Sequence, residues 1–227
     1  MGCAWKTSRL AALVVIAAAS CGPSEPVAAP TQWPAGTALA VDDVAISTAE
    51  IDTDSVYVER IEPSAAAPQL RRLALRNMTL PRVIARMMAP EQHAAARRAA
   101  QAALAQLRAG TYPVGTDGNY GVVLNGNWEY LGLNLWGAAM DLADGAWSDV
   151  IEQPGHFCVA RQLARIDGPV TMATQLELDV LTFAWMDAAN AAARIEAEHE
   201  RHVLTIVDPQ WNAIVPELLK NRMRKKP

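Results

Sequence analysis

The feature that most limits what this chain can fold into is the apolar run near its start. Lys6 and Arg9 precede residues 10–19, which contain no polar side chain. A helix that crosses a bilayer needs about 20 apolar residues, so this run is too short to span one. A basic start, a short apolar run and small residues after it predict a secretory signal. Excluding residues 1–20 leaves 207 of the 227 residues to fold outside the cytoplasm.

The residues around Cys21 resemble the lipobox of bacterial lipoproteins. Three small residues precede this cysteine, and Gly22 follows it. The resemblance implies cleavage before Cys21 and lipidation of its thiol. The protein would then be lipid-anchored in the cell envelope, at the periplasmic face of a bacterial membrane. An ordinary signal peptide with an incidental cysteine is the alternative. Residues 22–36 contain four prolines among small polar residues, so a flexible tether is predicted over 21–38.

The charge and cysteine counts argue against a nucleic-acid-binding protein and against a disulfide-stabilised one. Once residues 1–20 are removed, 18 basic side chains remain against 24 acidic ones. This balance offers no basic surface for nucleic acid. With Cys21 lipidated, Cys158 is the sole free thiol, so the mature chain has no intramolecular disulfide.

Two histidines near the C-terminus form the one pattern that suggests a metal site. His199 and His202 lie three residues apart on a helix predicted over 191–203, with several glutamates nearby. The zinc-protease pattern instead uses histidines four residues apart. We therefore expect a solvated charged face, no metal and no cofactor. His93 lies in the first turn of another predicted helix and is expected at the surface.

The first half of the folded body is predicted to be mainly helical. Residues 39–46 form a strand pair or a strand with a turn at Asp42-Asp43, and Thr48 caps a helix from Ala49. Two or three helices follow over 68–109, with Pro81 either kinking a helix or starting one. Alanine, glutamine and arginine dominate 91–108 and favour helix. We assign 39–110 to a helical region.

The second half carries the pattern of a small antiparallel sheet. A glycine-rich loop over 112–127 precedes a short helix over 133–142. Strands are predicted over 147–151, 156–166 and 176–186. The last of these becomes apolar on both faces and is expected at the centre of the sheet. The whole chain is therefore predicted to be α+β.

Residues 132–165 resemble the C-terminal half of parvulin-type prolyl isomerase domains. That half consists of a glycine-containing loop, a short helix, a Leu-x-x-Gly-x-x-Ser segment, a short strand, a turn with glycine and a final strand. The corresponding residues here are Leu131-Gly-Leu-Asn-Leu135, Ala138-Ala139, Leu142-Ala-Asp-Gly-Ala-Trp-Ser148, Val150, Pro154-Gly155 and Phe157-Cys-Val-Ala-Arg161. Residues 39–108 are similar to the helical N-terminal region of periplasmic isomerase-chaperones.

The resemblance implies a divergent parvulin-like domain with C-terminal helices over 111–227. It also implies cis–trans isomerisation of X-Pro bonds in extracytoplasmic proteins. The partners would be unfolded or proline-containing polypeptides, together with the membrane through the lipid on Cys21. The implied substrate groove is formed by Leu131, Leu135 and Met140, and its polar catalytic rim by His156, Cys158 and Asp117.

The chain departs from the family where histidines are expected. The family histidine of the last strand falls on Phe157, with His156 one residue early. A shift of one residue along a strand places a side chain on the opposite face, unless a bulge at Pro154-Gly155 restores it. The histidine of the family's first strand has no counterpart. The alternative functions are therefore a catalytically inactive, lipid-anchored chaperone or peptide-binding module, and a purely structural envelope lipoprotein.

Overall fold

A computed structural model describes residues 32–116, 118–165, 173–187 and 189–224, and its fold is α+β, as the sequence predicts. Cys21 and Asp117 lie outside the described residues. The strands are β1 (Thr37–Val41), β2 (Val44–Ser47), β3 (Val122–Gly126), β4 (Ile151–Gln153), β5 (His156–Arg165), β6 (Leu176–Ala184) and β7 (Leu204–Ile206). The α-helices are α1 (Thr48–Ile61), α2 (Ala67–Ala74), α3 (Leu80–Met88), α4 (Pro90–Arg108), α5 (Trp128–Leu131), α6 (Leu133–Ala139), α7 (Ala191–Glu198) and α8 (Glu217–Arg222).

A small sheet joins the two ends of the described chain. The predicted strand pair is the antiparallel hairpin β1–β2, and its turn contains Asp42 with a φ of 51°. On the other side of β1 lies β7, so the strand order is β2-β1-β7. The Asp42 carboxylate accepts a hydrogen bond from the backbone N–H of Val203 at 2.8 Å. The helix predicted over 191–203 is therefore wrong at its C-terminal end, since α7 stops at Glu198 and β7 follows.

The helices α2 and α3 are joined by a π-helical turn over Leu75–Thr79. The N–H of Leu80 donates to the carbonyl of Leu75, five residues earlier. Pro81 has no N–H, so it cannot continue the regular ladder, and it lies in the first turn of α3. Pro81 therefore starts a new helix. The α1 cap is Ser47, whose hydroxyl accepts from the N–H of Glu50 at 3.1 Å, and not Thr48.

The second sheet is antiparallel with the order β3-β6-β5-β4. The central position predicted for the strand over 176–186 is confirmed by β6. The strand predicted over 147–151 is misplaced: Trp147 makes only an isolated bridge to Arg161, and β4 begins at Ile151.

Asp179 of β6 is fully buried, although the sequence alternation places it on the polar face. Its carboxylate accepts from the backbone N–H groups of Tyr120 and Gly121 at 2.9 and 2.7 Å, and from Arg161 at 3.0 Å. These donors compensate the cost of burying the charge. Asp179 thereby fixes the start of β3 against the sheet.

The hydrophobic core crosses the boundary predicted at residue 110. One buried cluster combines β1, β2 and α1–α4 with Phe157, Trp185 and the C-terminal residues Ile195, Trp211 and Leu219. The described residues from Trp33 onward accordingly form one compact unit. The division into a helical and a parvulin-like region stays a prediction. None of the helices in the described part of the chain is long and apolar enough to cross a membrane.

A chain of charged side chains ties the helices to the second sheet. Arg82 of α3 is 7% exposed and makes two hydrogen bonds to Asp54 of α1, at 2.8 and 2.7 Å. Arg86 donates to Glu50 of α1 and to Glu152 of β4, both at 2.6 Å. Breaking a buried ion pair leaves an uncompensated charge in the interior.

We expect Asp54→Ala to destabilise the protein by about 3 kcal/mol, because Arg82 would stay buried with only the longer contact to Glu50, at 3.5 Å, to compensate its charge. The matched control is Asp52→Ala, also on α1, which removes the partly exposed pair with Arg71 and should cost about 1 kcal/mol or less. The measurement is the free energy of unfolding from denaturant titration. Equal losses in the two variants would contradict a special role for the buried pair.

Candidate functional site

Four of the six implied site residues lie together in the interior. Leu131, Leu135, Met140 and Cys158 are between 2% and 5% exposed and share one hydrophobic cluster. Leu131 belongs to α5 and Leu135 to α6, and α6 packs its apolar face on the sheet at β4 and β5. The structure therefore brings these residues together, but under other side chains and not along an open groove.

Cys158 is held as a neutral thiol. Burial raises its pKa to about 11, although Thr182 and Gln153 oppose this shift through hydrogen bonds. Its Sγ lies 3.9 Å from Thr182 Oγ1 and 3.8 Å from Gln153 Nε2. Because the thiolate is the nucleophilic form, this cysteine is unreactive at neutral pH.

His156 begins β5 at its pairing with Gln153 and is half-buried. Burial lowers its pKa, and a hydrogen bond to the backbone of Pro154 opposes the shift. The ring is therefore neutral at pH 7. The pairing of β4 with β5 has no register shift, so no bulge moves His156 to the other face. Asp117 lies outside the described residues.

Phe157, which the resemblance aligns with the parvulin histidine, faces the other core. It is 2% exposed, and its ring lies 4.6 Å from Trp185 and 5.0 Å from His93. His93 is itself largely buried and lies 3.1 Å from Glu152, so its expected surface position is wrong. Phe157 is therefore part of a closed aromatic cluster with His93 and Trp185.

Three surface cavities of the described chain do not lie at these implied site residues but where the N-terminal helices meet α5, α6 and the β4–β5 turn. They adjoin one another and have volumes of about 450, 490 and 530 Å³. The first two share Asn134, and the last two share Asn77 and Pro154. We name them, in this order, the polar cleft, the apolar pocket and the C-terminal pocket, and together the groove.

The apolar pocket is the middle cavity. Glu62 and Glu129 are exposed at its rim. Gly132, with a φ of 80°, turns the chain between α5 and α6, and a Cβ there would lie 3.1 Å from the side chain of Gln153. The apolar lining consists of Val58, Ile61, Leu73, Met78, Trp128, Leu133 and Pro154.

The polar cleft contains the charged chain described above. Burial works to lower the pKa of Arg82, but the hydrogen-bonded Asp54 and the nearby Glu50 raise it above its ordinary value, so the guanidinium stays charged. Asn134 donates to the carbonyl of Glu152 at 3.0 Å and separates this cleft from the apolar pocket. The charges of the cleft are thus largely satisfied by one another.

The C-terminal pocket lies between α3 and the C-terminal helices. His199 lines it, is 4% exposed, and its Nδ1 lies 3.0 Å from the carbonyl oxygen of Ile195. His202 instead contacts Asp42 at 2.7 Å. The solvated charged face expected for these histidines is therefore wrong for His199. Among the described residues, no group of three metal-ligand side chains lies together.

The groove residues are hard to recognise in the sequence. Val58, Leu73 and Leu133 come from segments far apart in the chain, and each has the spacing of an ordinary core position. Trp128 is a local signal, since it follows directly on a glycine-rich loop and binding residues are concentrated at loops.

No family model, no curated protein and no solved structure matches this chain.

We expect Cys158 to resist thiol reagents in the native state because burial keeps it protonated. The measurement is the reaction with a chromogenic disulfide at pH 8, using a chain that begins at Gly22 and so has this single thiol. The same chain in concentrated denaturant is the control and should react fully. Full reaction of the native protein within minutes would contradict the buried thiol.

Proposed function

We propose that this protein is a lipid-anchored, peptide-binding module that acts as a chaperone for extracytoplasmic polypeptides without catalysing prolyl isomerisation. One observation carries the proposal: an apolar pocket of about 490 Å³ adjoins two further cavities, whereas Cys158 and the implied groove residues lie in the core. A polypeptide would reach the pocket without unfolding any described element.

The lining of the groove suits an extended peptide. Apolar side chains of the pocket would bury one side chain of the ligand, and each such burial is worth about 1.5–3 kcal/mol. Asn77 and Gln153 line the same space and offer amide groups to a peptide backbone. Binding of this kind gives weak, sequence-tolerant affinity, which suits a chaperone with many clients.

Catalysis of prolyl isomerisation requires more than peptide binding. The amide rotation barrier is about 18–20 kcal/mol, and polar groups must favour the twisted amide over the planar one. Cys158 is buried, and the charges of the polar cleft are paired with one another. The isomerase interpretation rests on the sequence resemblance alone and stays a prediction.

The lipid anchor is the part of the proposal that rests on the sequence around Cys21. A tether of about 15 residues between lipid and body would span tens of ångströms when extended. The groove could then sample chains emerging near the membrane surface. Tethering raises the local concentration of a weak binding site near its clients, which compensates for low affinity.

We expect Leu73→Asp to weaken peptide binding about tenfold or more, because a carboxylate in the apolar pocket must lose its hydration. The probe is a fluorescein-labelled peptide with a central Phe-Pro-Leu flanked by glutamine, and fluorescence anisotropy gives the Kd. The matched control, Val56→Asp, places the same charge on an exposed part of α1 outside the groove and should leave the Kd unchanged. Equal effects of the two variants would exclude the apolar pocket as the binding site.

We expect the protein to broaden the NMR lines of this peptide without accelerating its cis–trans exchange. Exchange spectroscopy with and without the chain from Gly22 onward measures both effects. His156→Ala should change neither, because His156 lies outside the lining of the groove. Faster exchange that His156→Ala reduces would overturn the proposed lack of catalysis and restore the isomerase interpretation.

A further inference from the structure

The groove is not evenly charged along its length. Glu62 follows the last turn of α1, and Glu129 lies in α5 across the apolar pocket. Both side chains are exposed, and within the described part of the chain neither takes part in an ion pair. Two carboxylates without an ion-pair partner among the described residues therefore stand at the rim of the apolar pocket.

The acidic residues elsewhere in the groove are compensated. In the polar cleft, Glu50 and Glu152 are paired with Arg86. In the C-terminal pocket, Glu196 lies 2.5 Å from Arg222. The carboxylates without a described partner are thus concentrated at the apolar pocket, directly beside the surface that would hold an apolar side chain.

We propose that the apolar pocket selects polypeptide segments in which an apolar side chain is flanked by lysine or arginine. This inference rests on the proposed peptide binding and adds a preference to it. The apolar anchor supplies most of the affinity, and the basic flank meets Glu62 and Glu129. A segment flanked by acidic residues meets repulsion at the same place, which is how charge placement produces specificity.

The size of the preference follows from the exposure of the two carboxylates. Exposed ion pairs contribute modestly, so the gain should be about fivefold in Kd for a basic flank relative to a neutral one. Exposed charges are also screened by salt. The preference should therefore fade between about 0.02 M and 0.5 M salt. An affinity carried by the apolar anchor should persist at both concentrations.

The test uses three labelled peptides with the same central Phe-Pro-Leu and with lysine, glutamine or glutamate on both flanks. Kd values are measured by fluorescence anisotropy with the chain from Gly22 onward. The expected order of affinity is lysine, glutamine, glutamate, with about fivefold between neighbours at low salt. In the variant Glu62→Gln/Glu129→Gln, the three Kd values should agree within about twofold.

A matched control separates local recognition from attraction by the acidic protein as a whole, since the chain from Gly22 onward has 18 basic against 24 acidic side chains. Asp43→Asn/Glu91→Gln removes two exposed carboxylates outside the groove and should keep the full order. Loss of the order in this control as well would overturn the assignment to Glu62 and Glu129. Equal affinities in the unmodified protein would overturn the preference but not peptide binding, whereas no binding of any peptide would overturn both.

Discussion

The buried guanidinium of Arg82 is the constraint on which the arrangement of this structure depends. A charge in the interior is tolerated only when it is paired and hydrogen-bonded, and Asp54 meets both conditions with two short bonds. The pairing fixes α3 against α1. Arg82 also contacts Glu50, and Arg86 pairs with both Glu50 and Glu152 of β4. The N-terminal helices are therefore held at one position on the second sheet.

The groove is a geometric consequence of that arrangement. On α1, Asp54 points to the ion pair, and Val58 and Ile61, one and two turns later, reach the apolar pocket. On β4, Glu152 accepts from Arg86, and the next residues, Gln153 and Pro154, line the same pocket. The elements that carry the charged chain thus also form the walls of the cavity. Rigid walls reduce the entropy cost of binding a peptide.

The sequence was sufficient where local patterns decide the structure. The β1–β2 hairpin and the central strand β6 follow from alternation and turn residues. It was insufficient where partners are distant. The strand β7 has only three residues and owes its conformation to β1, so helix propensity over 191–203 gave no warning. Asp54 is a signal in the sequence itself, since it falls on the buried face of α1 between Ile51 and Val58.

The two faces of β5 bear on the isomerase interpretation, because both are packed against other parts of the protein. Alternation along the strand sends Phe157 into the core shared with the N-terminal helices and Cys158 into the core beneath α6. Both faces of the strand are thus committed to packing, and neither is available for polar groups beside a substrate. Replacing Phe157 with histidine alone would place an imidazole against Trp185 in a closed aromatic cluster. Polar groups on β5 could reach a substrate only if one of these two cores opened.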